Sequence, residues 1–408
     1  MQKQHKVSAW CIISMASIPL IMTLGNSMLI PVLPLFEKEL DISSFQSSMI
    51  ITSYSVASIF LIPVAGYLSD VIGRKMVILP SLCLALVGGL MAGYASWKIN
   101  DPFIWIIIGR IIQGIGAAGA TPIILPLVGD LYNEDNEKTS SCLGIIETSN
   151  TFGKVLSPVL GSILAAIIWY LPFFSISIFS LISILLVLIF IKVPKKKEKS
   201  VKFNIFVRKT KKVFTEKGKW LHTTFVVGIY AMLILFGILF FLSDIFEKVH
   251  DFKGVTKGLY LAIPLFILCV ASFVTGKLIK GNVEIMKKVI LFSLALIASS
   301  IIFIGYLSDK LLLLLIVSSL VGASIGAILP TLDALITENV EKEEKGTITS
   351  FYSASRFIGV AAGPPIMSIV MKKHLIVSFY VSGILAIIIG ILVFFFIRNV
   401  KPKTSSLW

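Results

Sequence analysis

Twelve stretches of this chain stay apolar over a length that a soluble fold rarely needs. They run at approximately 8–35, 44–68, 75–96, 103–130, 139–168, 171–192, 221–244, 257–280, 288–307, 311–336, 347–371 and 375–397. A helix rises about 1.5 Å per residue, so about 20 apolar residues cross a hydrocarbon core of about 30 Å. Hydrophobic residues make up 56% of the 408 and charged residues only 14%, where soluble domains carry about 25%. The sequence therefore predicts an all-α integral membrane protein of twelve transmembrane helices. No A-x-A-like cleavage site follows the first run, which reads as a retained span.

A net charge of +15 would suit a nucleic-acid partner, but its placement answers to a membrane. With both termini cytoplasmic, the inner segments hold about 26 Lys and Arg and the outer segments about 8, the asymmetry of the positive-inside rule. The charge then sets topology and contacts anionic lipid, and argues against nucleic acid. The expectation is a monomeric, multi-pass protein of a bacterial plasma membrane. Cys11, Cys83, Cys142 and Cys269 are scattered along the spans, and no histidine pair has ligand spacing on one helix face. No metal and no other cofactor is expected.

One long polar segment, Pro194 to Lys219, carries eleven basic residues and two acids and divides the spans six and six. It reads as a basic cytoplasmic linker that can lie on the inner leaflet through Phe203, Ile205, Phe206, Val213 and Phe214. The expected bundles are 1–193 and 220–408, joined by 194–219. The halves also repeat. At a constant offset of 206, Gly116 meets Gly322, Asn133 meets Asn339, Gly153 meets Gly359 and Pro158 meets Pro364. Two parallel six-span halves would rock about a substrate site near the midplane.

Four local patterns stand out. The joint after span 2, GYLSDVIGRK, places Gly66, Asp70, Gly73, Arg74 and Lys75 between two apolar runs. Gly66 permits close helix approach, Gly73 a tight turn, and Asp70 suits a helix N-terminus or a pair with Arg74. Span 4 carries RIIQGIG, with Arg110 well inside the apolar run beside Gln113. An unpaired Arg at mid-bilayer costs at least about 2.5–3.5 kcal/mol, so it must face a cavity or a partner. Span 5 spaces Gly144, Gly153, Pro158 and Gly161 in a small-residue pattern whose core returns in span 11 as Gly359, Gly363 and Pro364. Span 1 contains LGNSMLIPVLP, in which Asn26 is the polar residue best placed to face an interior.

These patterns resemble the major facilitator superfamily, and within it the twelve-span drug:proton antiporters, over essentially the full chain. The joint matches the family motif G-x-L-x-D-x-x-G-R-K. Arg110, Gln113, Gly114 and Gly116 match R-x-x-Q-G-x-G. The span 5 antiporter motif is matched with Ser157 and Ser162 standing for two of its glycines. The resemblance implies that Asp70 faces the start of span 11 near Gly346–Thr349, that Arg74 pairs with Asp130, and that Arg110 takes part in proton transfer. It also implies a cavity lined by spans 1, 2, 4, 5, 7, 8, 10 and 11, with Asn26, Tyr54, Gln113, Asn150 and Tyr230 as candidate polar walls.

Further ionisable residues lie inside spans. Glu147 and Lys154 are seven apart on span 5 and share a face; Asp333 on span 10 and Arg356 on span 11 lie at similar depth. In one reading Glu147 is the proton carrier, with Arg110 and Lys154 setting its balance or holding an anionic substrate group, since burial and nearby cations shift a carboxyl in opposite directions. In the other, Glu147–Lys154 and Asp333–Arg356 are neutralised structural pairs, and Arg110 bonds neighbouring carbonyls. No nucleophile–base set and no phosphate-binding G-x-x-x-x-G-K-[S/T] loop is present, so an enzyme is not expected. The expected function is proton-coupled export of small organic or amphiphilic compounds by alternating access. The alternatives are a transporter of one metabolite or lipid, and a non-transporting sensor.

Overall fold

The structure, a computed structural model, describes residues 8–132, 136–191, 218–279, 282–340 and 342–397. Among the described residues, twelve helical segments are long and apolar enough to cross a membrane. The chain forms two compact units, Met1–Lys202 and Phe203–Trp408.

In the first unit, α1 (Ala9–Ser27), a 3-10 turn (Ile30–Val32) and α2 (Leu33–Glu39) together make span 1. The sequence predicts one continuous helix here. Pro31 and Pro34 offer no N–H to the preceding turn, and the helix breaks at that point. Spans 2 to 6 follow as α3 (Ser44–Ile72), α4 (Arg74–Lys98), α5 (Phe103–Tyr132), α6 (Asn136–Ile167) and α7 (Leu171–Phe190). Ser43 and Gln46 start α3 with a reciprocal capping box. The second unit comprises α8 (Gly218–Lys248), α9 (Gly254–Leu278), α10 (Val283–Ile304), α11 (Leu311–Asn339), α12 (Lys342–Lys373) and α13 (Leu375–Phe396). Of the basic linker, only Gly218 and Lys219 lie within the described residues.

Packing repeats between the units. In the first, α1 packs on α6, α3 and α4 on α5, and α4 on α7. In the second, α8 packs on α12, α9 and α10 on α11, and α10 on α13. Glycine makes the closest approaches, as small residues do where lipid gives helices no hydrophobic reason to associate. A Cβ on Gly161 would fall on the carbonyl of Met28, and one on Gly359 on the carbonyl of Ile229. Both glycines therefore seat the fifth helix of their unit on the first. Gly153 (Leu20 oxygen at 3.2 Å) and Gly363 (Leu233 oxygen at 2.8 Å) share that role. Gly144 meets nothing within 4 Å and seats no helix.

The repeat register read from the sequence holds for this pair of helices and fails for the preceding one. Gly116 packs on Ser81 and Ala85 of α4, whereas Gly322 packs on Pro264 of α9, the counterpart of α3. The residue that packs on α3 is Gly114, against the Tyr54 carbonyl. The equivalence is therefore shifted by two positions, because an equal spacing of glycines does not fix the helix face they occupy. Asn133 lies outside the described residues.

Lys75 has a structural partner. Its Nζ donates to the carbonyls of Leu188 (3.2 Å) and Ile191 (2.7 Å), the open C-terminal end of α7. Lys287 does the same for α13 through Phe394 (2.6 Å). Cations suit helix C-termini, where carbonyls lack partners.

Candidate transport site

Arg110 is the largest fully buried side chain among the described residues. Gly114, one turn later on α5, lets that helix close onto α3 at Tyr54. The guanidinium then lies 4.5 Å over the Tyr54 ring. Its Nε donates to the Ile50 carbonyl (2.9 Å), one terminal nitrogen to the Gly25 carbonyl (3.1 Å) and Gln113 Oε1 (2.6 Å), and the other to Asn26 Oδ1 (2.8 Å). Tyr54 in turn donates to the Met22 carbonyl at 3.4 Å. Three residues expected along a cavity wall, Asn26, Tyr54 and Gln113, thus gather around the fourth, Arg110, in one buried knot joining α1, α3 and α5. Among the described residues no carboxylate pairs with Arg110, and neutral oxygens alone surround its charge. Gln113 fixes its amide by accepting from Arg110, while its Nε2 is buried without a hydrogen-bond partner.

A second set lies on α6. Thr23 of α1 donates to Asn150 Oδ1 at 2.5 Å, and the Asn150 amide donates to Glu147 at 3.4 Å. Glu147 is exposed on the helix surface and Lys154 is half-buried. Asn150 therefore couples α1 to Glu147, a link that Thr23 completes and that helix spacing alone does not reveal.

At the joint, Gly73 ends α3 and starts α4 with φ 103° and ψ 145°. That conformation favours glycine, and space is not the constraint, since nothing lies within 4 Å of a Cβ there. The turn aims Arg74 at three partners. It pairs with Asp70, donates to Ser69 Oγ at 2.7 Å, and reaches Asp130 of α5 at 3.2 Å. The Ser69 hydroxyl donates to the Gly66 carbonyl at 2.8 Å, tightening the last turn of α3. The partner helix expected for Asp70 begins earlier than the sequence suggests. Residues Gly346–Thr349 lie inside α12, whose first turn starts at Lys342.

In the second unit Arg356 of α12 meets Asp333 of α11 at 3.4 Å and lies 5.6 Å from the Tyr352 ring. Tyr230 is buried, and its hydroxyl donates to the Ser382 carbonyl of α13 at 2.9 Å. Pro158 and Pro364 sit inside α6 and α12 at matching places. Sequence reasoning passed over one buried charge pair, Glu247 with Lys257 at 2.6 Å. It placed Glu247 beyond the end of span 7, whereas α8 continues to Lys248.

Twelve spanning helices in two similarly packed units, with buried polar knots inside them, define a secondary transporter of small molecules. The chain belongs to the Major Facilitator Superfamily, whose family profile matches residues 15–286 and 284–407. It is 47% identical over 395 residues to the Bacillibactin exporter of Bacillus subtilis (strain 168), covering 97% of this chain and 98% of that one. It is 21% identical over 371 residues to the Quinolone resistance protein NorA of Staphylococcus aureus, covering 88% and 89%. The fold is also that of the human organic anion transporter MFSD10, with a TM-score of 0.74 at 16% identity over 96% of this chain and 100% of that one.

Proposed function

We propose that the protein is a proton-coupled exporter that works by alternating access in a bacterial plasma membrane, with cytoplasmic termini, and that bacillibactin is the first cargo to test. One observation carries the cargo: 47% identity across nearly the whole of both chains with an exporter of that compound. The drug-resistance relative, at 21%, is far more distant, which favours export of one compound over broad multidrug export.

Within this reading Glu147 carries the proton. Its Asn150 contact ties its charge state to α1. Arg110 supplies a fixed positive field, and Lys154 lies on the same helix. Asp70, Arg74 and Asp130 act as a gating set, Gly73 giving it its turn. Gly153, Gly161, Gly359 and Gly363 give the helix pairs a smooth seat to slide on.

The test is direct. Purified protein in liposomes, given an imposed pH gradient, is expected to move bacillibactin against its concentration, and collapse of the gradient is expected to stop it. Cells lacking the gene should retain the compound. Gradient-independent flux removes the proton coupling. Transport of unrelated dyes with no movement of bacillibactin replaces the cargo with the multidrug reading.

A further inference from the structure

Gln113 is 1% exposed, and its amide faces two ways. Oε1 accepts from Arg110 at 2.6 Å, the shortest of the four hydrogen bonds that this guanidinium donates. A guanidinium offers donors alone, so the amide oxygen has to turn toward it and the amide nitrogen away. Nε2 is thereby buried without a hydrogen-bond partner. A buried donor in that position has lost its hydration and gained nothing for it.

The nitrogen faces a seat made by three helices. Gly88 and Gly89 of α4 admit α5 and α7 closely. A Cβ on Gly88 would lie 2.7 Å from Gln113 Cγ. One on Gly89 would fall on Ser177 Oγ, and would lie 3.0 Å from both Gln113 Nε2 and the Phe173 carbonyl oxygen. Three polar atoms, two of them from α7, thus gather at one point beside Gly89. Ser177 gives its proton to the Leu86 carbonyl at 2.9 Å, and a hydroxyl oxygen that has donated can still accept.

The second unit packs the equivalent helices without this arrangement. Gly322 seats α11 on the Pro264 carbonyl as Gly114 seats α5 on that of Tyr54. The residue ahead of Gly322 is Val321, buried like Gln113. The counterpart of Arg110, four residues ahead of the glycine, is Ser318, whose hydroxyl turns back to the Leu315 carbonyl at 3.1 Å. Helix packing therefore requires neither the guanidinium nor the amide. A buried charge is ordinarily paired with an opposite one, and Arg110 is met by neutral oxygens among the described residues.

Building on the transport reading above, we propose that the Arg110 knot is a binding site for an anionic oxygen group of the cargo, and that Gln113 is the residue that yields to it. The acceptors at Ile50 and Gly25 are backbone carbonyls fixed in their helices. Of the two side-chain acceptors, Asn26 and Gln113, Gln113 has the α7 acceptors waiting beside its nitrogen. The anionic oxygen takes the guanidinium N–H that Oε1 held, a stronger, charge-assisted bond. Released from Arg110, the amide moves onto α7, and Nε2 donates to Ser177 Oγ. One exchange thus gives the guanidinium a counter-charge, satisfies the buried donor and ties α5 to α7 when cargo is present.

The experiment uses the full-length protein in nanodiscs with isotope-labelled glutamine. The chain has four glutamines, and Gln113→Leu identifies the signal of interest by its loss. Benzoate is the probe anion and benzamide its neutral match. Benzoate is expected to shift the Gln113 side-chain amide protons downfield, the direction of a new hydrogen bond, and benzamide to leave them in place. Ser177→Ala is expected to abolish the shift. Ser175→Ala, which removes a hydroxyl bound to the Pro172 carbonyl on the same helix, is expected to retain it. Gln113→Glu fixes an anion on Arg110 and is expected to raise the melting temperature while abolishing gradient-driven flux. A purely structural Gln113 would instead let that variant transport normally. No response to benzoate, an equal response to benzamide, a shift that survives Ser177→Ala, or wild-type flux in Gln113→Glu each overturns the proposal. Wild-type protein that moves no cargo on a pH gradient sinks the transport reading instead, and the benzoate response then judges the anion site by itself.

Discussion

Arg110 and Asn26 stand 84 residues apart in the chain and 2.8 Å apart in the fold. The bond joins the first third of α5 to the penultimate residue of α1, just ahead of the proline-broken segment. A guanidinium held by neutral oxygens depends on the geometry of every acceptor, since each one lost leaves a buried donor unsatisfied at about 1–3 kcal/mol.

The first prediction follows from that fork. Arg110→Lys keeps the charge but cannot serve acceptors on three helices at once. It is expected to lower the melting temperature of the purified protein and cut flux at least about tenfold, with Asn26→Leu acting in the same direction. Wild-type flux in Arg110→Lys would show that the charge alone matters.

The joint behaves differently. The Asp70 side chain is 54% exposed, and exposed pairs contribute at most about 1 kcal/mol. Asp70→Ala is therefore expected to leave thermal stability nearly unchanged while slowing turnover, with substrate affinity retained. Stopped-flow flux and equilibrium binding separate the two, and unchanged turnover would remove the gating role.

Glycines offer a graded comparison. Gly161→Ala and Gly359→Ala place a methyl on a facing carbonyl and are expected to destabilise by about 1–3 kcal/mol. Gly144→Ala enters open space and is expected to be neutral or stabilising by up to about 1 kcal/mol. Thermal unfolding in detergent ranks the three, and equal losses would refute the packing account.

Glu147→Gln is expected to abolish gradient-driven flux while preserving folding, because the amide keeps the Asn150 contact but cannot carry a proton. Flux that still follows the gradient in this variant would pass the carrier role elsewhere.

Much of the architecture was legible in the sequence. Helix number follows from apolar run length, since hydrocarbon leaves each segment to satisfy its own backbone. The Arg74–Asp130 pair was implied by the family resemblance of the joint, and the two side chains do meet at 3.2 Å. Less legible was where polar side chains meet. Tyr230 suits a cavity wall by type, yet its hydroxyl is taken by the Ser382 carbonyl. The repeat register of α5 against α11 misled by two residues, since spacing along a helix does not say which neighbour a face will meet.

The sequence by itself determined the twelve spans, the family joint and the presence of a deeply placed Arg110. Those features depend on local composition and on the solvent that surrounds each segment. Only the tertiary structure decided that Asn26, Tyr54 and Gln113 close around that arginine, and that Glu247 is buried against Lys257. The first depends on how nearly α5 and α3 can approach, which Gly114 facing the Tyr54 carbonyl permits, and the second on the turn that brings α9 back beside the end of α8.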